Sequence, residues 1–324
     1  MSSAILMHSP GGPEVLRWKS VEVPSPQPHE VQIRHTAIGV NFHDAYVRSG
    51  LYQTLTLPGI PGLEAVGIAE EVGSSVSELR SGDRVAYATR QYGAYAERRN
   101  IDANLLVPLP KDVSDTVAAS SLLKGLTAQM LVQSVYRVQS GDWVLVHAAA
   151  GGVGTLLCQW ATRLNARVIG VVGSEAKAHA AMAAGCHSTV LSQAPDLVSQ
   201  VMRITGGAGV DVAYDSVGKD TFFASLECLA PCGHLANFGQ SSGPVPAFEI
   251  SRLFPKSNSV SRPSVFQHIR TKDLLRNAAS QFFDTHLQGH LHIGDSLEFP
   301  LRDAASAHKE LENRQRTKTI VLRP

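Results

Sequence analysis

The spacing of hydrophobic and polar positions changes about a third of the way along the chain. In roughly the first 110 residues, "EVQIRHTAIGV" alternates as a half-buried strand does, and "GIAEEVG" and "DRVAYAT" are short β-rich runs. A turn that carries Gly82 and Asp83 separates the last two runs. This part of the chain is therefore predicted to be β structure.

From about residue 113 the spacing becomes helical, and strands then alternate with helices. A first helix is predicted over "SDTVAASSLLKGLTAQMLVQSV". The strands that follow are "DWVLVHA", "ARVIGVV", "HSTVLS", "VDVAYDSVG" and "HLANFG", and the helices between them are "GTLLCQWATRLN", "SEAKAHAAMAAG", "APDLVSQVMRITGG" and "DTFFASLECLAPCG". This alternation predicts a parallel sheet with right-handed crossovers and helices on both faces.

The tail returns to a mixed pattern. It predicts a helix from Thr271 to Gln288, a strand "SLEFPL", a helix from Asp303 and a closing strand "KTIVL". Such a tail can complete the first domain, which is then discontinuous in the sequence. We expect an α/β fold of two domains, the first formed by residues 1–124 and 266–324 and the second by residues 125–265.

The stretch "AGGVG", Ala150 to Gly154, lies where a predicted strand becomes a predicted helix. Gly151 and Gly152 have no Cβ to obstruct a pyrophosphate, and the N-terminus of the helix, with Val153 in its first turn, offers free N–H groups and a positive dipole. Gly154 allows the helix to pack tightly on the strand. The alternative is a tight structural turn, but the strand–turn–helix context favours nucleotide binding.

The end of the next predicted strand bears on which nucleotide binds. An NAD-preferring site has an acidic residue there, whereas here Gly173 and Ser174 follow "ARVIGVV", and Glu175 is assigned to the first turn of the helix. Ser174 and Lys177 can instead bind a 2′-phosphate, although Lys177 can also be a solvated helix lysine. We therefore predict NADPH rather than NADH.

Composition excludes several classes of function. The 29 basic and 28 acidic residues give a net charge of +1, which provides no electrostatic footprint for nucleic acid. The start of the chain lacks the pattern of a signal peptide, and no segment is apolar enough to span a membrane. The four cysteines show no framework spacing, so reduced thiols in a cytoplasmic protein are expected.

With these motifs in place, the chain resembles the medium-chain dehydrogenase/reductase superfamily, and within it the zinc-free quinone oxidoreductases, a group that includes zeta-crystallin. The similarity runs from about Ile5 to Leu322 and is carried by "GGPEVL", "AIGVNFHDAYVRSGLY", "GLEAVGIAEEVG", "LKGLTAQ", "HAAAGGVG", "YDSVG" and "SRPS". It implies a GroES-like catalytic domain, a Rossmann doubly wound domain that binds NADPH, a cleft between them and a homodimer.

The resemblance also implies that no metal takes part. Zinc alcohol dehydrogenases need three protein ligands for their catalytic zinc, and the corresponding positions here are Asn41, Leu63 and Lys124. The region that corresponds to their structural zinc lobe contains no cysteine. A new site built from His43, Asp44 and Glu64 would lack thiolates and the usual spacing. We expect no metal site.

The resemblance assigns roles to the catalytic domain. It implies that Asn41 faces the nicotinamide and donates a hydrogen bond to the nicotinamide ribose or the substrate oxygen, and that Tyr46 and Tyr52 line the substrate cleft. A loop-stabilising asparagine and buried packing tyrosines are the alternatives. Arg262 in "SRPS" is expected to project toward the substrate or the nicotinamide, with a structural salt bridge as the alternative.

The resemblance further places several residues around the cofactor. Thr127 is expected near the nicotinamide, with an ordinary helix threonine as the alternative. Ser192 stands where relatives often carry a stacked tyrosine, and Arg314 resembles a residue near the 2′-phosphate, although the basic tail can simply be solvated. The remaining predicted cofactor residues follow two strands at their carboxyl ends, where doubly wound sheets bind ligands; they are Ser216, Phe238, Gly239 and Ser241.

The function these residues predict is NADPH-dependent reduction of a quinone without a metal. A quinone is already a good electron acceptor, and its developing oxyanion is delocalised, so positioning and a few hydrogen-bond donors suffice. Whether electrons leave as a hydride or singly stays open. The alternatives are reduction of the C=C bond of an enal or enone, and a cofactor-binding protein with little catalysis, as in relatives recruited as lens crystallins or RNA-binding factors.

Overall fold

The computed structural model describes residues 2–313 and 315–324. The strands are β1 (Ser2–Leu6), β2 (Arg17–Val21), β3 (Glu30–Val40), β4 (Glu64–Val72), β5 (Arg84–Ala88), β6 (Arg98–Asp102), β7 (Val107–Pro108), β8 (Trp143–His147), β9 (Arg167–Val172), β10 (Ser188–Leu191), β11 (Val210–Asp215), β12 (Leu229–Asn237), β13 (Ser259–Ser261), β14 (Ser296–Pro300) and β15 (Thr319–Arg323).

The helices alternate with these strands most regularly between residues 143 and 237. They are α1 (Phe42–Ser49), α2 (Asp115–Met130), α3 (Gly152–Arg163), α4 (Glu175–Ala183), α5 (Leu197–Ile204), α6 (Phe222–Glu227), α7 (Val265–His268), α8 (Lys272–Leu287) and α9 (Ala304–Leu311). A π-helical turn continues α2, and a 3-10 helix, Ile250–Lys256, precedes β13. No helix among the described residues is both long and apolar enough to cross a membrane.

The contacts between Cα atoms divide the chain into two compact units. The first comprises Met1–Leu123, His268–Leu287 and Ile293–Pro324, and the second Lys124–Gln267 and Gln288–His292. The domain boundaries expected from the sequence stay a prediction.

The first unit contains a seven-stranded sheet in the order β14-β15-β3-β4-β5-β7, with β6 paired to β3. The long strand β3 alternates buried and half-buried positions, as its sequence predicts, and becomes continuously buried toward Val40. Its inward side chains, such as Val31 and Ile33, join Tyr87 and Leu322 in a core that is closed to solvent. The closing strand β15 lies between β14 and β3, antiparallel to β3.

The second unit is a six-stranded sheet in the order β10-β9-β8-β11-β12-β13 in which every pairing is parallel. All but the first residue of β8 and of β9 are buried, as expected where helices cover both faces of a parallel sheet. Leu145, Ile169 and Leu235 are fully buried in its core. The strand order reverses between β8 and β11, which makes that position the topological switch point. The predicted α/β class is confirmed.

Two element predictions were wrong. The segment after Asn41 was included in β structure, but it forms α1, which begins at the asparagine cap and ends at Gly50, a left-handed residue with φ 83°. The helix expected over "DTFFASLECLAPCG" ends at Glu227, and Leu229 begins β12 by pairing with Val210. Burial of Leu229 in the sheet outweighs the helical spacing of its neighbours.

Candidate active site

Asn41 stands at the junction of β3 and α1 in the first unit. It is the N-cap of α1, with extended backbone, and Oδ2 of Asp44 accepts a hydrogen bond from its backbone N–H at 2.8 Å. This is the reciprocal half of a capping box, in which the residue three positions into the helix returns to the cap. Asn41 is only 7% exposed. Its burial and its place in the capping box fix the position of its backbone.

The side chain of Asn41 is bound by a second carboxylate. Its Nδ2 donates to Oε2 of Glu64 at 2.8 Å, and Oε1 of Glu64 accepts from the backbone N–H of Leu123 at 2.7 Å. Glu64 is fully buried at the start of β4, opposite Gly39 in the register of β3. A Cβ at Gly39 would lie 2.5 Å from Oε2 of Glu64 and 2.1 Å from the carbonyl oxygen of Ala119, so only glycine leaves room for this carboxylate.

A chain of buried polar groups continues from Asp44. The Tyr95 hydroxyl donates to Oδ2 of Asp44 at 3.2 Å and lies 2.9 Å from Nε2 of His308. Burial, and then the charge of Asp44, raises the pKa of Tyr95 well above its usual range. Burial, helped by the Arg48 guanidinium, lowers the pKa of His308 to about 3. His308 is therefore neutral at pH 7 and can serve as a partner for the Tyr95 hydroxyl.

An aromatic cluster lies on α1 and the segments beside it. It comprises Phe42, His43, Tyr46, Tyr52 and Tyr92. The rings of Tyr46 and Tyr52 meet edge to face with centroids 5.1 Å apart, and those of His43 and Tyr52 likewise at 5.2 Å. Nε2 of His43 lies 2.9 Å from the Tyr92 hydroxyl, and burial with the charge of Arg90 lowers the pKa of His43 to about 4. The cluster thus carries flat faces, hydroxyls and a neutral imidazole.

In the second unit, the predicted cofactor residues follow the strands of the parallel sheet. The carboxyl ends of parallel strands meet at one edge of the sheet, and this edge is where doubly wound sheets bind ligands. The residues placed there, strand by strand from β8 to β13, are Gly151, Gly152 and Val153, Gly173 and Ser174, Ser192, Ser216, Phe238, Gly239 and Ser241, and Arg262.

The glycine turn after β8 brings the start of α3 against the strand. Gly151 caps α3, and its N–H donates to the carbonyl of Ala148, a left-handed residue with φ 51°, at 2.8 Å. A Cβ at Gly154 would lie 2.2 Å from that same carbonyl oxygen, so the helix packs on the turn as expected. The N–H groups of Gly152 and Val153 belong to the first turn, where a helix supplies no acceptor of its own.

The carboxyl end of β9, at Gly173, has unoccupied space beside its backbone. A Cβ at Gly173 would meet only Oγ of Ser192, at 4.0 Å. Ser174 caps α4, and its Oγ accepts from the backbone N–H of Lys177 at 3.4 Å, while the Ser192 N–H donates to Val172 at 2.7 Å. The structure therefore brings Gly173, Ser174 and Ser192 together, with the half-buried Lys177 in the first turn of α4.

The loops after β11 and β12 are packed on each other. Oδ1 of the buried Asp215 accepts from the backbone N–H groups of Val217 and Gly218 at 2.7 and 3.0 Å, which fixes the loop that carries Ser216. Ser241 donates its N–H to the Ser216 carbonyl at 3.3 Å, and a Cβ at Gly239 would lie 2.4 Å from that carbonyl oxygen.

Arg262 fastens the same loop. Its Nη1 donates to the carbonyl oxygen of Asn237 at 3.0 Å, to Oδ1 of Asn237 at 2.6 Å and to the carbonyl oxygen of Gly239 at 2.9 Å. These contacts hold the backbone around Phe238. Thr127 is half-buried on α2. Arg314 lies outside the described residues, so its predicted contact with the 2′-phosphate stays a prediction.

Comparison with known proteins identifies the family. Family models match residues 27–111, described as alcohol dehydrogenase GroES-like domain, and residues 152–280, described as zinc-binding dehydrogenase. Quinone oxidoreductase 1 of Escherichia coli strain K12 is 41% identical over 327 residues, covering 100% of both chains. The 2-haloacrylate reductase of a Burkholderia species is 40% identical over 331 residues, covering 100% of this chain and 99% of that one.

A solved structure gives the same result. The crystal structure of Escherichia coli quinone oxidoreductase complexed with NADPH matches with a TM-score of 0.96 at 41% identity, over 99% of this chain and 100% of that chain. The chain belongs to the quinone oxidoreductase family of the medium-chain dehydrogenases/reductases. The predicted family, its GroES-like domain and its Rossmann domain are confirmed.

In this quinone oxidoreductase family member, the donor chemistry at the former zinc positions is unsuitable for zinc. An asparagine amide, the fully buried Leu63 and the buried Lys124 offer neither thiolate nor imidazole. Asp44 and Glu64 are already engaged by Asn41, Tyr95 and Leu123. Within residues 2–313 and 315–324, no group of three or more His, Cys, Asp or Glu side chains is arranged to hold a metal ion.

The residues present fit NADPH. The first turn of α3 presents the backbone N–H groups of Gly152 and Val153, which can bind a pyrophosphate. A Cβ added at Gly173 would have no carboxylate within 4 Å, so no negative charge lies at that point to repel a 2′-phosphate. Ser174, Lys177 and Ser192 would hold that phosphate, and the loops after β11 and β12 would hold the nicotinamide half. These individual contacts stay predictions.

Sequence reasoning missed the groups that hold Asn41. Glu64 enters the sequence analysis only as a doubtful metal ligand, and Tyr95 and His308, which continue the network from Asp44, do not enter it. The spacing of Asn41 and Asp44 did contain a signal, since a cap residue followed three positions later by an acid indicates a capping box. The other partners lie too far away in sequence to be found without the sheet register.

Proposed function

We propose that this protein is an NADPH-dependent quinone reductase that transfers reducing equivalents without a metal. The observation that carries the proposal is the full-length similarity to quinone oxidoreductases, one of them solved with NADPH. The open end of β9 supports the choice of NADPH over NADH, since a 2′-phosphate needs donors and an absence of carboxylate there.

The chain's own residues are proposed to bind NADPH and the quinone, to orient them, and to exclude water from the site. NADPH, when bound, supplies the reducing equivalents. Asn41 is proposed to donate to the nicotinamide ribose or to the substrate oxygen, where an N–H stabilises developing negative charge. Tyr46 and Tyr52 are proposed to offer flat faces to the quinone ring and phenol donors to its oxygens.

The loops of the second unit are proposed to position the nicotinamide. Arg262 holds the carbonyl groups of Asn237 and Gly239, so Phe238 and Ser241 are presented on a fixed backbone. We keep Arg262 as a proposed active-site residue, acting through this loop. Thr127 and Ser216 are proposed to contact the same half of the cofactor.

A panel of acceptors tests the proposal. The loss of NADPH absorbance is followed with benzoquinones, naphthoquinones, short enals and simple ketones, with NADH in place of NADPH as the control. We expect turnover with quinones, none with ketones, and a strong preference for NADPH. A preference for NADH would overturn the cofactor assignment, and tight NADPH binding without any turnover would overturn the enzyme assignment.

One observation favours a second candidate function. The 2-haloacrylate reductase is as similar to this chain as the quinone oxidoreductases are, and its name indicates an activated alkene as substrate. Reduction of an enal or enone C=C bond is therefore the alternative. Turnover confined to enals in the panel would establish this activity instead of quinone reduction.

We propose a homodimer, as the family resemblance implies. The supporting feature is the edge of the six-stranded sheet at β13, where the preceding 3-10 helix exposes Ile250 by 81% and Phe254 by 86%. Large exposed apolar side chains beside a sheet edge are typical of an association surface. A second copy of the chain, related by a twofold axis, can cover both features at once.

We also propose a cytoplasmic location without nucleic-acid or membrane partners. Cys158, Cys186, Cys228 and Cys232 are free thiols, which is usual in a reducing compartment. The nearly balanced charge provides no field to attract a polyanion.

A further inference from the structure

We propose that Glu64 is a positioning residue that sets the orientation of the Asn41 side-chain amide. This inference rests on the proposed function, in which Asn41 donates an N–H to the nicotinamide ribose or the substrate oxygen. Glu64 binds Nδ2 of Asn41 at 2.8 Å and is itself fully buried. The carboxylate thereby decides which end of the amide is available for the cofactor.

The main chain of Asn41 is fixed independently of Glu64. Asp44 accepts from the Asn41 N–H at 2.8 Å, and the Tyr95 hydroxyl holds Asp44 in turn at 3.2 Å. The location of Asn41 therefore depends on the start of α1. The rotation of its amide depends on Glu64, which binds Nδ2, and on the Asp44 backbone N–H, which faces the Asn41 side chain in the capping box. A change at residue 64 can therefore alter the rotation of the Asn41 amide without moving the Asn41 backbone.

The position of the Glu64 carboxylate is also fixed. Gly39 leaves space for Oε2, and the backbone N–H of Leu123 anchors Oε1 at 2.7 Å. The carboxylate is thus held between β3 and α2 and has no freedom to follow a rotated amide. It acts as a rigid acceptor toward Asn41.

Both side-chain oxygens of Glu64 accept hydrogen bonds, whereas an asparagine amide can donate or accept. Facing Glu64, Asn41 must therefore turn Nδ2 toward the carboxylate and its oxygen away. One N–H of Nδ2 is used by Glu64, and the second N–H is the donor that the proposed function requires. A neutral group at residue 64 would remove this selection.

The variant Glu64→Gln is expected to reverse the orientation of the Asn41 amide. Because the Leu123 N–H still needs an acceptor, Oε1 of the glutamine is expected to take it, and the glutamine NH₂ then faces Asn41. Asn41 must turn its oxygen toward this donor. The matched control is Glu70→Gln, the same substitution in the same strand, at a partly exposed residue paired with Arg34 and Arg98.

The readouts separate the nicotinamide end from the adenosine end. We expect E64Q to weaken NADPH binding by up to about tenfold, the upper range for the loss of one hydrogen bond between uncharged groups, and to lower kcat/KM for quinone by at least as much. The affinity for 2′,5′-ADP, which lacks nicotinamide, should not change. The fluorescence of bound NADPH should shift in E64Q, while E70Q should match the wild type in every measurement.

A double variant distinguishes positioning from packing. Asn41→Asp with Glu64→Gln exchanges the carboxylate and the amide, so the buried pair is again hydrogen-bonded, but residue 41 has no N–H to offer. We expect its thermal stability to recover toward that of the wild type, with NADPH affinity and turnover still reduced. This variant also carries the test if E64Q alone does not fold.

Two outcomes would overturn the inference. In the first, E64Q has the same NADPH affinity and turnover as E70Q. In the second, the double variant recovers the NADPH affinity and turnover of the wild type. Failure of the proposed function would differ from either. In that case the wild-type protein would reduce no quinone, but the NADPH affinity and fluorescence of E64Q would still report whether Glu64 orients Asn41.

Discussion

At the scale of single residues, several histidines are buried in a neutral state. His35 is enclosed in the first unit, with Nδ1 2.6 Å from the carbonyl oxygen of Ala96 and Nε2 2.8 Å from the Tyr87 hydroxyl. Burial lowers its pKa to about 4, and the Arg99 charge adds to the effect. Because the unfolded chain has an ordinary histidine, this residue links folding to pH.

The linkage predicts sensitivity to acid. Well above pH 6.5, His35 is neutral in both states; as the pH falls through 6.5 toward its folded pKa of about 4, the unfolded state gains the proton first. The free energy of unfolding should therefore decrease, with His35 contributing about 1.4 kcal/mol per pH unit in that window. Denaturant unfolding at a series of pH values, compared between the wild type and His35→Gln, measures the slope.

In His35→Gln this contribution should be absent, so stability should fall less steeply below pH 6.5. The control is His29→Gln, at an exposed position, which should keep the wild-type slope. Equal slopes in all three proteins would contradict the assignment of the linkage to His35.

Single residues also show where sequence reasoning stopped. Asn41 was singled out because of its place in a motif, and the structure locates it at the junction of β3 and α1. Its partner Glu64 is 23 positions away and becomes a neighbour only through the pairing of Gly39 with Glu64 in the sheet. The alternation of a strand predicts which face a residue occupies, but not which residue of the next strand lies opposite.

At the scale of elements, the predicted cofactor contacts lie at the junctions of strands with helices. The junction of β9 and α4 is the one that bears on NADPH against NADH. β9 ends at Val172, Gly173 is open, and Ser174 starts the helix. A side chain with a carboxylate could therefore be introduced at Gly173 without a steric clash of its Cβ.

We predict that Gly173→Asp weakens the preference for NADPH over NADH. An aspartate there would repel a 2′-phosphate and accept hydrogen bonds from an unmodified ribose, so the ratio of kcat/KM for NADPH over NADH should fall about tenfold or more. The control is Gly294→Asp, since a side chain at Gly294 would also enter open space. An unchanged ratio in Gly173→Asp would show that the adenosine end lies elsewhere.

Elements with a clear period were predicted well, and the exceptions have physical reasons. The alternation from β8 to β11 was recognised because each parallel strand is an apolar run between helices. α1 was missed because its eight residues are shorter than a window that shows helical spacing, although the cap at Asn41 and the terminal Gly50 marked both ends. The end of β12 was predicted as the strand "HLANFG", but its start was missed because the predicted helix "DTFFASLECLAPCG" extends over it.

At the scale of the whole molecule, each unit buries a core of its own. The first is built around β3 and its neighbours, and the second around the parallel sheet. The 3-10 helix before β13 differs from the rest of the second unit, because it turns Ile250 and Phe254 to solvent. Burial of these two apolar side chains would provide the driving force for the proposed dimer.

We predict that Ile250→Ser with Phe254→Ser yields a monomer. Sedimentation equilibrium should give a dimer for the wild type and a single chain for the double variant, because the variant removes the apolar surface that association would bury. The control is Met182→Ser, which removes an apolar side chain that is 46% exposed on α4 of the same unit. A wild-type monomer, or a double variant that still dimerises, would contradict the proposal.

The place of β15 between β14 and β3 has a consequence for biosynthesis. β3 is translated early, yet the strand that pairs with its Ile38–Val40 segment emerges from the ribosome only after every strand of the parallel sheet. The parallel-sheet unit has all of its strands available first and can mature while synthesis continues. The sheet that holds Asn41 is therefore completed last, after every strand of the parallel sheet has been synthesised.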